Sequence, residues 1–365
     1  MKDGCIEILG ALDITEFSIK NVSEEWLENK LSSIRKVYGH VSISDTNLTT
    51  FSFLRNLESI EVSTETNRPL LSIYGNTNNA SLDLRKLTVS MPEPDRRFPP
   101  IVIYNNTICL EETTAIRLVQ QHAFIMATPI CKPSKVHCMV SMPSGFVYFS
   151  LGVFTHINLP DNCQILYGCL RITGDVANSI HKKISSLELI SGGVEISNTN
   201  MTTLNFSNLI AIINPHGIKF NTLYVSNNSQ LTNFLMPSLT TIKSQYEDVE
   251  MYDSLRQTSI PTPTILFFEN YKLSLDDIIC SKLRFLSKKY HMWLKILENG
   301  NYCGDSSNLI NYDGNLTEYT ISEPGSEKGT VIYIDYIDYY DSFKDANSYT
   351  KIHLLITLFS ILFIL

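Results

Sequence analysis

The sequence lacks most of the short motifs that mark a reaction or a metal site. It contains no Cys-x-x-Cys, no Gly-x-Ser-x-Gly, no His-Glu-x-x-His, no phosphate-binding loop and no kinase signature. These absences argue against a zinc finger, a serine hydrolase with a nucleophile elbow, a zinc protease and a kinase. No cofactor is expected.

Positive charge is also scarce. The chain has 29 Lys and Arg against 37 Asp and Glu, a net charge of −8, and no basic run. This balance argues against nucleic acid or an anionic membrane surface as the main partner. With 44% hydrophobic and 18% charged residues over 365 positions, the chain has room for two ordinary globular domains and tails.

Neither end carries an apolar segment of full bilayer length. The first ten residues hold no hydrophobic stretch of the signal-peptide kind, and we expect that a leader is missing from this sequence. The last 14 residues, 352–365, would make a helix of about 21 Å, shorter than the roughly 30 Å bilayer core. Such a tail behind a polar stretch predicts a glycosylphosphatidylinositol attachment signal, and a short tail anchor is the alternative.

Cysteines and glycosylation sequons indicate an oxidising compartment. The intervals between cysteines do not fit a zinc site, so a secretory, disulfide-bonded protein is the better interpretation. The eight cysteines are Cys5, Cys109, Cys131, Cys138, Cys163, Cys169, Cys280 and Cys303. Asn-x-Ser/Thr sequons, which predict N-glycosylation, begin at Asn21, Asn47, Asn79, Asn105, Asn200, Asn205, Asn227 and Asn315.

The chain repeats itself. Residues 5–15 read CIEILGALDIT and residues 163–173 read CQILYGCLRIT, with Cys, Gly, Leu, Ile and Thr in register. A second pair follows in the same order, VYGHVSISDTNLTTFSF from Val37 and ISGGVEISNTNMTTLNF from Ile190. Two matches in one order predict a duplicated domain.

A shorter period lies inside each copy. Alternating β-rich runs recur about every 30 residues in the first copy, and the second copy has counterparts with one longer interval. One strand in about 30 residues cannot form tight hairpins, so parallel stacking into a mostly β solenoid is predicted. The polar stretch 244–264 in the long interval predicts a surface loop. The runs centre on Ile14, Ile43, Ile73 and Ile103, and on Ile172, Ile196, Val225 and Phe267.

Leucine-rich corners and one helix per copy complete the predicted turns. Thr46 and Thr199 stand where a leucine-rich repeat places its buried Asn, so Asn47 and Asn200 should point outward. Ser23 is a helix N-cap that precedes Trp26, Leu27 and Leu31 on one helical face, and residues 177–187 repeat the pattern more weakly. Each helix is expected to cap the open end of its coil. The inward residues are Val41, Ile43, Leu48 and Phe51, and Val194, Ile196, Met201 and Leu204.

These residues together resemble the receptor L domain, the ligand-facing module of the insulin and epidermal growth factor receptors. The likeness rests on the Cys-x(3)-Leu/Tyr-Gly-x-Leu-x-Ile opening, the following helix, the G-x-V-x-I-x-x-T-N rung, and the turns NNTICL and ENYKLSL. The chain resembles in particular the nematode proteins that carry two such domains without a kinase. The resemblance implies two right-handed parallel β-helices. The predicted segments are L domain 1 at 5–121, a linker at 122–160, L domain 2 at 161–300, a stalk at 301–350 and an anchor signal at 351–365.

The resemblance also implies disulfides. Cys163 would pair with Cys131 or Cys138, Cys109 with the other of those two, and Cys280 with Cys303. Ala11 stands where the second copy has Cys169, and Cys5 has no upstream partner in the sequence.

Candidate chemistry is sparse. Parallel β-helices include polysaccharide-acting enzymes that need paired carboxylates, but Asp83 alternates with Arg85 as an exposed ion pair would. Glu93 and Asp95 lie among prolines in a predicted loop. His137 beside Cys138 suggests a metal site, although a disulfide staple fits an oxidising compartment better.

The resemblance therefore predicts a non-enzymatic extracellular binding protein at the cell surface or secreted. Its partner would be a peptide hormone, a growth factor or a receptor ectodomain, bound as decoy, co-receptor or modulator. Outward rung positions Ser42, Ser44, Glu195 and Ser197 are the predicted contacts. An adhesion or structural glycoprotein is the alternative, and a β-helix enzyme acting on polysaccharide is a remote one.

Overall fold

The computed structural model describes the two repeated regions and the segment between them. The described residues all lie in one compact unit, Met1–Ser307. They are 4–15, 22–62, 68–78, 80–90, 99–139, 153–215, 221–244, 250–253, 258–261, 264–275, 277–289 and 294–296.

The first region winds into a coil, coil 1, of short strands with two helices, α1 (Glu24–Leu31) and α2 (Glu112–Gln120), and a 3-10 turn at Ser52–Leu54. Its strands are β1 (Glu7–Ile8), β2 (Leu12–Thr15), β3 (Lys36–Tyr38), β4 (Val41–Ser44), β5 (Ser59–Glu61), β6 (Leu71–Tyr74), β7 (Ser81–Leu82), β8 (Thr88–Ser90), β9 (Ile101–Tyr104), β10 (Cys109–Glu111), β11 (Ala123–Met126) and β12 (Ile130–Cys131).

Every strand pairing among the described residues of coil 1 is parallel. The three sheets have the orders β1-β3-β5-β8, β2-β4-β6-β9-β11 and β7-β10-β12. In the second of these, called the broad sheet, the four predicted rung centres Ile14, Ile43, Ile73 and Ile103 stand in direct register. The prediction of stacked parallel strands is confirmed.

The second region forms coil 2, with helices α3 (Ile180–Ser185) and α4 (Asp277–Lys289). Its strands are β13 (His137–Met139), β14 (Val153–Thr155), β15 (Ile165–Tyr167), β16 (Cys169–Gly174), β17 (Leu189–Ser191), β18 (Val194–Thr199), β19 (Thr203–Asn205), β20 (Ala211–Asn214), β21 (Leu223–Ser226), β22 (Asn233–Leu235), β23 (Thr241–Ser244), β24 (Glu250–Asp253), β25 (Thr258–Pro261), β26 (Ile265–Phe268) and β27 (Leu294–Ile296).

Coil 2 repeats the parallel arrangement. Its broad sheet runs β14-β16-β18-β21-β26-β27, and a second sheet runs β13-β15-β17-β20-β23. The rung centres Ile172, Ile196, Val225 and Phe267 are in register. The stretch 244–264, predicted as a loop, instead carries the antiparallel pair β24–β25. Its strand signal was masked by the surrounding polar residues.

The predicted linker contributes to both coils. Strands β11 and β12 pair with β9 and β10 of coil 1, whereas β13 and β14 pair with β15 and β16 of coil 2. The described residues between 122 and 160 therefore supply two strands to each coil. The sequence predicts a connection here because these strands are only two to four residues long and are not bounded by clear turn residues.

Alternating side chains fill each coil. The predicted inward residues Val41, Ile43, Leu48 and Phe51, and Val194, Ile196, Met201 and Leu204, are all buried. Ile165, Tyr167, Leu189 and Ile213 face out of coil 2 and pack with the core of coil 1. Because apolar burial contributes about 25 cal/mol per Å², this shared packing holds the coils together.

Glycine allows the turns to approach closely at matching places. A Cβ on Gly39 would lie 2.5 Å from the carbonyl oxygen of Gly10, and one on Gly192 would lie 2.2 Å from that of Gly168. Both glycines open the repeated G-x-V rung. The repeated glycine is thus a packing requirement of adjacent turns.

The predicted helices form with one difference. Ser23 caps α1 by accepting a hydrogen bond from the Trp26 amide, and Leu27 and Leu31 are buried. Trp26, predicted on the same face, is 43% exposed because it lies beside the core-facing residues rather than over them. Among the described residues, no helix has the length and apolarity needed to cross a membrane. The predicted stalk and anchor signal lie outside the described residues.

Candidate ligand-binding faces and the domain junction

The broad sheet of coil 1 presents an outward row of small polar residues. Asp13, Ser42 and Ser72 stand in register across three strands. Asp13 is exposed and the two serines are half-buried. Beside this row, the rings of Tyr74 and Tyr104 stack with centroids 5.0 Å apart. The result is an open surface with one aromatic platform, a combination common at protein interfaces.

The end of that sheet is closed by coil 2. Val102, Phe124 and Met126 belong to the outward rows but are buried in a cluster with Cys169. Half-buried Val153 packs against the same cluster. The accessible face of coil 1 is therefore formed by β2, β4 and β6, with Tyr104 at its border.

The broad sheet of coil 2 presents a charged and aromatic face. Arg171 Nε lies 2.7 Å from Glu195 Oε2, and both side chains are partly exposed. On the next strand, β21, Tyr224 stands in register with Glu195, and on β26 Leu266 stands in register with Tyr224. Phe268 is half-buried on the same strand as Leu266. Large, mixed side chains thus replace the small ones of coil 1.

The four predicted contact positions divide into two pairs. Ser42 and Glu195 are half-buried and lie on the outward rows. Ser44 and Ser197 are buried, which corrects their assignment as accessible contacts. Ser44 is the last residue of β4 and Ser197 lies two residues before the end of β18. Close to the corner, a short hydroxymethyl group is covered by larger neighbours such as Tyr74, which stands in register with Ser44.

Ladders of buried polar side chains support the corner of each coil. In coil 1, the Thr46 hydroxyl donates to Asn76 Oδ1 at 2.6 Å, and Asn76 Nδ2 donates to Asn106 Oδ1 at 2.9 Å. Asn76 Nδ2 also reaches the Ile43 carbonyl at 3.2 Å. Asn106 Nδ2 likewise reaches the Ile73 carbonyl at 3.0 Å, so the two asparagines join consecutive rungs.

Coil 2 has the same ladder. The Thr199 hydroxyl donates to Asn228 Oδ1 at 2.9 Å, and Asn228 Nδ2 donates to Asn270 Oδ1 at 2.8 Å. Thr46 and Thr199 are buried, which confirms the predicted ladder position. The predicted exposure of Asn47 and Asn200 is also confirmed.

Glu112 joins the two coils through a polar network. Its carboxylate accepts from the Ser134 hydroxyl at 2.6 Å and from the Lys135 amide at 3.1 Å, and lies 2.9 Å from His137 Nε2. His137 Nδ1 lies 3.1 Å from the Tyr167 hydroxyl. Burial raises the pKa of Glu112, but the hydrogen bonds from Ser134, His137 and Lys135 outweigh it and bring the pKa down to about 2.

Two neighbouring groups extend this junction. Lys135 pairs with Glu188 of coil 2. Burial raises the pKa of Tyr167, with a further contribution from the Glu112 carboxylate. Of the residues that suggested a metal site, His137 thus belongs to this hydrogen-bond network, and Cys138 is in a disulfide, as the alternative interpretation predicted. Within the described residues, no group of three or more His, Cys, Asp or Glu is arranged to hold a metal ion.

His122 lies at the same junction. Burial lowers the pKa of its imidazole to about 4, the Lys243 charge adds to this, and a hydrogen bond to the Asn214 backbone opposes it. Its Nδ1 is buried without a hydrogen-bond partner. This environment could not be inferred from the sequence, because it depends on the contact with Lys243 and Asn214 of coil 2.

Disulfides fasten the region between the coils. Cys109 is bonded to Cys131 and Cys138 to Cys163, one of the pairings left open by the resemblance. Cys280 is also disulfide-bonded, and its expected partner Cys303 lies outside the described residues. Cys5 and Cys169 are free thiols. Burial raises the pKa of Cys169 to about 12, so it is unreactive at neutral pH.

The sequons differ in accessibility. Asn105 is exposed, like Asn47 and Asn200, and Asn227 is half-buried. Asn205 is half-buried and its Oδ1 is buried without a partner. The sequons at Asn21, Asn79 and Asn315 lie outside the described residues.

Of the carboxylates considered for catalysis, only Asp83 lies among the described residues. Asp83 is ion-paired with Arg85, with the Arg85 Nε 2.8 Å from Asp83 Oδ2, and this hydrogen bond lowers the pKa of Asp83. Leu82 and Leu84 on either side are buried. Glu93 and Asp95 lie outside the described residues.

Comparison with known proteins agrees with the duplicated architecture. The family model described as Receptor L domain matches residues 4–119 and again 162–285. Protein irld-34 of Caenorhabditis elegans is 24% identical over 241 residues, covering 62% of this chain and 58% of that protein. The chain thus spans less than two thirds of this relative. Matched twice along most of its folded length, the chain belongs to the receptor L domain family.

Proposed function

We propose that this chain is a non-enzymatic extracellular binding protein. Its two broad sheets would bind a peptide hormone, a growth factor or a receptor ectodomain, as decoy, co-receptor or modulator. Membership of a family of binding domains supports the general class. The coils are proposed to be right-handed, as the resemblance implies. A C-terminal lipid or tail anchor beyond the stalk, and N-glycans on the sequons, belong to the same proposal.

The observation that carries the proposal is the pair of accessible broad-sheet faces. One offers Ser42, Ser72 and the stacked Tyr74–Tyr104 rings, and the other offers the Arg171–Glu195 pair beside Tyr224. Aromatic and arginine side chains on a rigid surface are the residue types that contribute most to protein interfaces. The ladders and disulfides keep both faces fixed, which lowers the ordering cost of binding.

A matched pair of substitutions tests the faces. The full chain is immobilised and incubated with a panel of insulin-like and epidermal-growth-factor-like peptides. Ser72→Arg places a large cation in the centre of the coil 1 face. Ser59→Arg places the same cation on β5, in the sheet β1-β3-β5-β8. We expect Ser72→Arg to weaken capture about tenfold or more and Ser59→Arg to leave it unchanged. Equal loss in both variants would contradict the face assignment.

The same peptide panel distinguishes the proposed ligand-binding role from the alternative of an adhesion glycoprotein. Capture of no peptide, together with retained adhesion between cells displaying the chain, would favour an adhesion glycoprotein. Release of the cell-surface protein by a phosphatidylinositol-specific phospholipase would support the lipid anchor, and retention would favour the tail anchor.

A further inference from the structure

An open cleft of about 890 Å³ lies between the corner of coil 1 and the start of coil 2. One wall is formed by residues 105–106 and 127–130 of coil 1. The other is formed by residues 133–137 and Met139. The cleft is separate from the two broad-sheet faces, and the binding role proposed above does not use it.

The lining has the character of a site for a neutral, amphipathic occupant. Pro129, Pro133 and Val136 supply apolar surface, and Val136 is 46% exposed. The polar groups are already engaged: Ser134 and His137 bond Glu112, and Lys135 pairs with Glu188. A strongly charged ligand would have to break these contacts. A sugar, with its apolar ring faces and its rim of hydroxyl groups, could occupy the cleft without breaking them.

A covalent attachment point for a sugar lies on the cleft wall. Asn105 is exposed, lines the cleft and begins the sequon Asn105-Asn106-Thr107. Its φ of 52° places it in the left-handed region just before Asn106, whose side chain is held inside by the ladder. The chain therefore fixes Asn105 at the cleft while its neighbour is anchored in the core.

We propose that an N-linked glycan on Asn105 occupies this cleft and braces the two coils against each other. The attachment is the ordinary secretory reaction: the bond from Asn105 Nδ2 to the anomeric carbon of N-acetylglucosamine forms, the bond from that carbon to a lipid diphosphate breaks, and the amide loses a proton. The inference rests on the extracellular location in the proposed function.

Asn227 provides a matched control. It has a φ of 53°, precedes the ladder residue Asn228, and begins the sequon Asn227-Asn228-Ser229 in coil 2. It matches Asn105 in backbone conformation and in standing just before a ladder residue, but it does not line the cleft. Thr107 and Ser229 are both exposed, and the Thr107 hydroxyl donates to the Asn76 carbonyl at 3.3 Å. Thr107→Ser keeps both this donor and the sequon.

The test uses the full chain secreted from animal cells. Peptide:N-glycosidase is applied to native and denatured protein, and release at each sequon is followed by mass spectrometry. We expect the native Asn105 glycan to be released several-fold more slowly than the Asn227 glycan, with equal rates after denaturation. Hydroxyl-radical oxidation of Met139 should rise several-fold in Thr107→Ala, and remain at the wild-type level in Thr107→Ser and Ser229→Ala.

The cleft assignment would be overturned if the native protein released the Asn105 and Asn227 glycans at equal rates. It would also be overturned if Thr107→Ala left the oxidation of Met139 unchanged. An unmodified Asn105 beside an occupied Asn227 would also overturn it, and would leave the proposed function standing. Absence of glycan from every sequon of the secreted protein would overturn this inference and count against the extracellular location as well.

Discussion

The two coils share an interior and differ in their outward faces. Inside, Thr46, Asn76 and Asn106 correspond to Thr199, Asn228 and Asn270, with the same donors and acceptors. Outside, the small row of Asp13, Ser42 and Ser72 in coil 1 is replaced in coil 2 by an ion pair and large side chains. Packing and backbone hydrogen bonds constrain the interior, whereas the exterior is free to diverge. Under the proposed function, the two coils would therefore present different binding surfaces on one scaffold.

The ladder should give the largest effect and the same one in both coils. Asn76→Ala leaves the Thr46 hydroxyl, the Ile43 carbonyl and Asn106 short of partners, and unpaired buried groups cost about 1–3 kcal/mol each. We expect each of Asn76→Ala and Asn228→Ala to lower the free energy of unfolding by about 4 kcal/mol in urea titrations. Exposed Asn233→Ala is the control and should be near neutral. A large loss in one coil alone would break the equivalence.

The junction should make the whole unit sensitive to acid. His122 has a folded pKa of about 4 against 6.5 when unfolded, so the unfolded state binds its proton first and stability falls as pH drops from 6.5 towards 4. The loss reaches about 3 kcal/mol at most. We expect His122→Asn, which tolerates the positive φ of 61°, to remove this part of the pH dependence of urea unfolding. An unchanged slope between pH 6.5 and 4 would contradict the buried assignment.

The glycine contacts should respond alike in both copies. Gly39→Ala and Gly192→Ala each bring a methyl group against a backbone oxygen of the preceding turn. Because that oxygen belongs to the short backbone link between two strands, it has little room to move, and we expect a loss of about 1–3 kcal/mol in each case. The φ of +159° at Gly192 adds some strain to Gly192→Ala. Gly4→Ala is a useful comparison, since a Cβ there meets nothing within 4 Å although its φ of +73° adds some strain. Thermal unfolding monitored by circular dichroism measures the three variants.

The faces should matter least for folding. Glu195→Gln weakens a partly exposed ion pair with Arg171, which is worth at most about 1 kcal/mol. We expect a change of that size or smaller in unfolding free energy, with any loss appearing in peptide capture instead. A destabilisation as large as that of Asn228→Ala would mean that the face is part of the scaffold.

Much of the scaffold could be predicted from sequence because it follows local, repeated patterns. The register of Ile43 with Ile73, the ladder position of Thr46 and the N-cap at Ser23 all follow from spacing within one copy. The helix α2 was missed although Thr114, Ala115, Leu118 and Val119 form its buried face, a signal that its polar neighbours obscured.

The junction was not predictable in the same way. The contacts of Glu112 with Ser134 and His137 join residues from different elements, and the environment of His122 depends on coil 2. Ser44 and Ser197 were assigned outward by strand alternation, which does not tell whether a short side chain reaches solvent at a corner. Such contacts depend on how whole turns pack, which spacing within one turn does not encode.

Native-state hydrogen exchange tests the central claim most directly. The amides of Thr46 and Asn76 in coil 1, and of Thr199 and Asn228 in coil 2, each donate to a ladder oxygen at 2.9–3.2 Å. Two equivalent coils with continuous ladders predict slow exchange at all four, opening only with global unfolding. Fast exchange at the ladder amides of either coil under native conditions would contradict the shared scaffold.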